Sequence, residues 1–241
     1  MPDPKPNPVR RGRPRLPPPP LPPLQGTTEP VETRVYLTLR KAFMEGVFRL
    51  GTKFSGRAIA QSLGVSQMPV REALKRLEGD GAIEGSAKSS FIVPTLSAAQ
   101  YRELVAIRVE LEGLVCRHAA ARISEPTLRR VKSIYANLLA ARTWPDVLRH
   151  NFELHFLVYA SAEMPYALSM IESLWLRVGP ALNEIGVVGN VSTSAGRYPE
   201  LLAALEAREG DRAERVLASD ILDNAEVLLG VLQSRSSEAA S

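Results

Sequence analysis

Gln67, Arg71 and Lys75 recur every four residues, and that spacing puts a glutamine amide, a guanidinium and an ammonium along one flank of a helix. Val70, Ala73, Leu74 and Leu77 fall on the opposite flank and supply a core-facing stripe. Such an arrangement suits reading of a polyanion. A guanidinium near the leading end of an exposed helix can fork onto guanine O6 and N7 or grip a phosphate. Gly64 can take the left-handed conformation that ends a preceding helix, and Val65 can plug the turn into a core. Ser66 suits an N-cap, and Pro69 sits in a first turn, where a missing N–H costs little. Helix, glycine turn and helix with donors at its leading end is the geometry that enters a major groove.

A second set of chemically able residues lies further on. Asn151 and His155 are four apart and share one helical face, and Arg108 and Glu112 are spaced alike. With three histidines in the chain, no nucleophile–base pair can be read from spacing, so an enzyme is not expected. The single cysteine, Cys116, excludes an internal disulfide and a cysteine-based zinc cluster, and reads as a small buried hydrophobe. His118 and His150 lack partners at ligand spacing and read as surface or packing residues.

These residues need elements to hold them, and the composition favours helices. Hydrophobic residues make up 45% of the 241 and aromatics only 6%. No apolar run approaches the ~20 residues of a membrane span, and no apolar segment follows the N-terminal arginines as a secretory signal requires. Charge is unevenly spread. Residues 1–30 carry five Lys/Arg against two Asp/Glu, residues 31–95 ten against six, and residues 96–241 fifteen against eighteen. The basic excess coincides with the helix-turn-helix, as phosphate binding demands.

Residues 1–30 hold twelve of the nineteen prolines and predict a disordered or polyproline-II tail. Residues 31–95 predict a compact winged unit. Its first helix carries Val35, Leu39, Ala42 and Phe43 and ends near Gly46; its second is capped by Ser55; its third spans about Gln67–Asp80, with Glu72 and Arg76 spaced to pair and Gly81 as the stop. Ala82–Glu84 and Phe91–Val93 predict two strands around a wing. Ser97 with Gln100 forms a capping box. Helical patterns follow at 125–141, 144–161, 165–187, 197–208 and 211–234, an antiparallel bundle over 96–236 before a disordered 237–241. The fold class is therefore mainly α: three helices with a two-stranded wing, then an all-helical bundle.

Several phrases carry a family resemblance. "GVSQMPVREALKRLEGDGAIE" resembles the recognition-helix signature of the GntR superfamily, FadR subfamily, with its Pro-Val-Arg-Glu-Ala-Leu core intact. "AIRVELEGLVCRHAA", "NFELHFLVYASAE" and "YPELLAALEAREGDRAERVLASDI" resemble, in order, segments of the FCD-type sensor domain. The resemblance spans residues 31–236. It implies DNA contacts from Arg57, Ser66, Gln67, Met68 and Arg71, and from a wing near Lys88. Gln67 stands where the family often has Arg, and Met68 replaces a common Thr; the latter could meet a thymine methyl or cap the core. Ser89 stands where the wing usually has Gly.

The resemblance further implies an effector pocket built from Arg108, Asn151, His155, Tyr198 and Asp220. Arg108 would meet an effector carboxylate, or else pair internally with Glu112. Metal-binding members offer Asp and three His, whereas here one His survives, with Asn151, Tyr198 and Asp220 beside it. A divalent metal on Asn151, His155 and Asp220, a hydrogen-bonding effector site and a structural cluster all stay open. The Arg10–Arg15 stretch also resembles an AT-hook core, which implies minor-groove contacts from Arg11 and Arg13.

The resulting expectation is a cytoplasmic, bacterial, nucleoid-associated homodimer. It would act as a repressor on a pseudo-palindromic double-stranded operator, controlled by a small effector such as an organic acid. A metal-dependent enzyme tethered to DNA and an architectural A·T-tract binder are the alternatives.

Overall fold

The computed structural model describes residues 20–24, 28–86, 90–188 and 196–238. The N-terminal unit begins with α1 (Val31–Met44), whose Val35, Leu39, Ala42 and Phe43 are fully buried. Gly46, at φ +70°, turns the chain out of it. Strand β1 (Lys53–Ser55) leads into α2 (Gly56–Leu63), where the Ser55 hydroxyl accepts the Ala58 N–H at 3.2 Å. Gly64 closes α2 at φ +66°, and α3 (Gln67–Gly79) follows. Ser66 occupies the N-cap position of α3 with an extended backbone, but its side chain makes no capping hydrogen bond. Gly81, at φ +70°, ends the turn after α3.

The sheet has three strands where the sequence predicted two. Strands β2 (Glu84–Ser86) and β3 (Ser90–Ile92) form the hairpin, and β1 adds antiparallel to the far edge of β3. Three residues are too short to display alternation, so β1 left no periodic trace. What holds it is aromatic packing. Phe54 of β1 lies 6.0 Å from Phe91 of β3 and 5.2 Å from Phe48, which stacks on Phe43 of α1 at 4.2 Å.

The expected Glu72–Arg76 pair does not form. Glu72 pairs instead with Lys75 at 3.1 Å, and the Arg76 guanidinium lies 3.8 Å over the Tyr36 ring. An aromatic face on the neighbouring helix outcompetes a solvated ion pair.

The second unit is helical throughout its described residues: α4 (Ala98–Arg122), α5 (Glu125–Ala140), α6 (Trp144–Ala160), α7 (Pro165–Leu182), the short α8 (Ile185–Val188), α9 (Tyr198–Glu206) and α10 (Gly210–Glu238). Ser97 and Gln100 form the reciprocal capping box that starts α4, at 3.2 and 2.9 Å. Ser124 and Thr143 cap α5 and α6 one way only, their hydroxyls accepting the N–H of Thr127 and of Asp146. The helix expected over 165–187 breaks at Asn183–Glu184, giving α7 and α8. Leu21 and Leu24, from the proline-rich stretch, lie half-buried against the core.

Helix α7 also docks the two units together. A Cβ on Gly179 would come within 2.2 Å of the Phe43 carbonyl oxygen, so only glycine allows the end of α1 to lie this close. Pro180 follows inside the last turn of α7, and buried Asn183 donates its side-chain amide to the carbonyls of Gly46 at 2.7 Å and Phe48 at 3.2 Å. Arg40 of α1 adds an ion pair to Glu172 of α7 at 2.8 Å.

Candidate functional site: a cationic helix face and an enclosed polar cavity

Helix α3 carries its apolar residues inward, with Val70, Ala73, Leu74 and Leu77 all buried, which leaves the other flank to solvent. Ser66, Gln67, Met68 and Arg71 are exposed there, and Arg57 of α2 is exposed beside them. Arg57, Gln61, Ser66 and Gln67 border one shallow depression between the two helices. Met68 is 67% exposed, so it does not cap the core, and a large apolar side chain stands open at the leading end of α3. Lys88 in the wing, together with Arg11 and Arg13, lies outside the described residues.

The second site is a half-open cavity of about 580 Å³ lined by α4 and the helices from α6 to α10. It brings together all five residues expected there: Arg108, Asn151, His155, Tyr198 and Asp220. Its apolar wall includes Trp144, Leu148, Trp175, Leu182, Ile185 and Ile221.

The polar groups form one connected network. Arg108 and Glu112 are buried and paired, with Nε 2.6 Å from Oε1 and a second guanidinium nitrogen 3.3 Å from Oε2. The Glu112 carboxylate also accepts the Tyr159 hydroxyl at 2.6 Å and the Trp175 indole N–H at 3.2 Å. Because Tyr159 donates to Glu112, it must accept from His155 Nδ1, 2.9 Å away. The other ring nitrogen, Nε2, lies 3.0 Å from the Tyr198 hydroxyl. That hydroxyl donates its proton to Asn151 Oδ1. Asp220 accepts the main-chain N–H of Arg197 at 3.0 Å and the Asn224 amide at 3.3 Å.

Burial sets the protonation of these groups. It pushes the His155 imidazolium pKa below its ordinary value, against the pull of Asp220 and Glu112, so the ring is neutral. It pushes the Tyr159 and Tyr198 phenols well above theirs. Arg108 stays charged: burial opposes the charge, but contact with Glu112 outweighs it.

A divalent metal does not fit this donor set. Among the described residues no three His, Cys, Asp or Glu side chains converge, and His155 already meets a phenol at each ring nitrogen. The alternative that the spacing offered for Arg108, pairing with Glu112, is the arrangement present. Sequence reasoning missed Glu112 as the hub, along with Tyr159, Trp175 and Asn224. Tyr159 stands four residues after His155, a spacing that could have drawn attention to it. Of the other histidines, His118 faces Arg122 on the surface at 3.1 Å and His150 faces Glu153 at 3.3 Å.

A winged helix-turn-helix with an exposed basic flank, docked on a helical bundle built around a cavity, is the architecture of a DNA-binding transcriptional regulator. The family comparisons specify which kind. The profile described as "Bacterial regulatory proteins, gntR family" matches residues 32–93, and the FCD domain profile matches residues 103–223. The chain belongs to the GntR family of regulators with an FCD C-terminal domain. It is 29% identical over 189 residues to the HTH-type transcriptional regulator McbR of Escherichia coli K12, covering 76% of this chain and 86% of that protein. It is 25% identical over 213 residues to the HTH-type transcriptional repressor RspR of the same organism, covering 87% and 93% respectively. The solved structure of E. coli McbR/YncC superposes with a TM-score of 0.78 at 27% identity, over 83% of this chain and 98% of that one. Among the described residues, no helix is long and apolar enough to cross a membrane.

Proposed function

We propose that the protein is a homodimeric repressor that binds a pseudo-palindromic operator through α3 and releases it when a small molecule fills the helical cavity. The repressor sense rests on likeness to RspR, and the dimer on the need for two reading helices to span two half-sites. Arg71 forks onto a guanine or a phosphate, Gln67 and Ser66 reach neighbouring base edges or backbone, and Arg57 holds the opposite phosphate wall.

One observation carries the coupling between ligand and DNA. Residues 179–186 face the cavity through Leu182 and Ile185 and clasp the end of α1 through Gly179 and Asn183. The Trp144 indole, also on the cavity wall, donates to the Leu182 carbonyl at 3.3 Å. A ligand that presses on this wall moves the segment on which the DNA-binding unit sits, and so favours one placement of α3 over another.

The test is a mobility-shift titration with a duplex that the wild-type protein selects from a random pool. Arg71→Ala should weaken binding by about 1–3 kcal/mol, roughly five- to 150-fold, and reduce the salt dependence. Wild-type affinity in this variant would remove α3 from the reading role.

A further inference from the structure

From the charges around the cavity we infer that its occupant is an amphipathic amine, held by its ammonium group on Asp220 with its apolar body against the tryptophan wall. This rests on the reading of the cavity as the effector site. The expected organic acid meets the wrong balance of charge. Arg108, the cation deepest in the cavity, is neutralised by Glu112 at 2.6 Å, and every other donor around Glu112 also points at that carboxylate. Arg197, nearer the mouth, is matched by Asp223 at 2.7 Å. His155 sits as a neutral ring between two phenols.

Once these pairs cancel, Asp220 is the charge left over among the described residues that line the cavity. It is 6% exposed and lines the cavity, and its bonds come from a main-chain N–H and a neutral amide rather than from a cation's side chain. Among the described residues no cationic side chain is hydrogen-bonded to this buried carboxylate, and an incoming ammonium would supply a cationic partner. An incoming carboxylate would add a second negative charge beside Asp220. Trp144 and Trp175 line the wall beside Leu148, Leu182 and Ile221 and give the apolar body of such a ligand a surface to bury. The volume of about 580 Å³ accommodates a compact organic molecule.

Three probes sharing one phenyl skeleton separate the chemistries: phenethylamine, hydrocinnamate and phenethyl alcohol. Calorimetric titration of the full-length protein should show the amine binding at least roughly tenfold tighter than the carboxylate. Asp220→Asn, which keeps an acceptor for the Arg197 N–H, should abolish that preference while leaving the alcohol's affinity unchanged. Tighter binding of hydrocinnamate, an amine preference that persists in Asp220→Asn, or binding of none of the three would each overturn the inference. Operator release is read separately by mobility shift. An amine that binds through Asp220 yet leaves DNA affinity untouched sinks the regulatory reading and spares the ligand class.

Discussion

The side-chain amide of Asn183 donates to the main-chain carbonyl of Gly46 at 2.7 Å, joining residues 137 positions apart across the boundary between the two units. The same nitrogen reaches the Phe48 carbonyl at 3.2 Å and that of Pro180 at 3.4 Å. A single buried group thus satisfies carbonyls of the DNA-binding unit from the helical unit, at the point where the helix ending in Met44 gives way to the aromatic ladder of Phe43, Phe48 and Phe54.

Removing that donor orphans buried carbonyls, which is dearer than never having made the bond. Asn183→Ala should therefore cost about 1–3 kcal/mol of stability. Urea unfolding followed by circular dichroism measures it. An unchanged midpoint would mean that water reaches these carbonyls and the clasp is only a surface contact.

His155 gives a pH dependence whose sign follows from its burial. The folded ring resists protonation, with its pKa below the ordinary 6.5, whereas the unfolded chain takes up the proton normally. The stability contributed is complete above that ordinary value and drains away as the pH falls below it, by up to about 1.4 kcal/mol per pH unit. Stability of the wild type minus that of His155→Gln should therefore shrink on acidification from neutral pH. Subtracting the variant also cancels the opposite drift from Glu45, whose buried carboxyl is raised by desolvation. A difference that holds constant or grows would show a solvated ring.

Cys116 is fully buried on α4 and its thiol is pushed up to about 12, chiefly by desolvation and then by Glu214 and Glu112. The native protein should leave this thiol unmodified by an alkylating reagent at mildly alkaline pH, and the urea-unfolded chain should react fully. Mass spectrometry counts the adducts. Rapid labelling of the native protein would show that α4 and α10 open readily where Cys116 meets the Ala213 carbonyl.

The parts legible in the sequence were those written locally. Ser55, Gly64, Gly81 and the Ser97–Gln100 pair each act within a few residues of themselves, and each marks an element end close to where the sequence placed it. The exposed flank of α3 was readable because four buried residues fix its inner face. The set of cavity residues came from family resemblance, since nothing local connects Asn151 with Asp220. Pairings between distant residues left no such trace. Strand β1 exists through Phe54 and its aromatic neighbours, Arg76 turns to a tyrosine on another helix, and Asn183 breaks a continuous helical pattern to reach Gly46. The role of Glu112 as the acceptor for three different side chains depends on α6 and α7 bringing Tyr159 and Trp175 to α4, which no single-segment pattern contains.

The close seat of α1 on Gly179 limits how these modules can be exchanged. A chimera placing this DNA-binding unit on a foreign helical domain would have to import glycine and asparagine at the positions matching 179 and 183, because any side chain at the first collides with the Phe43 carbonyl. A transplanted unit lacking that two-residue key would lose the close seat and hang from its new partner by the linker alone.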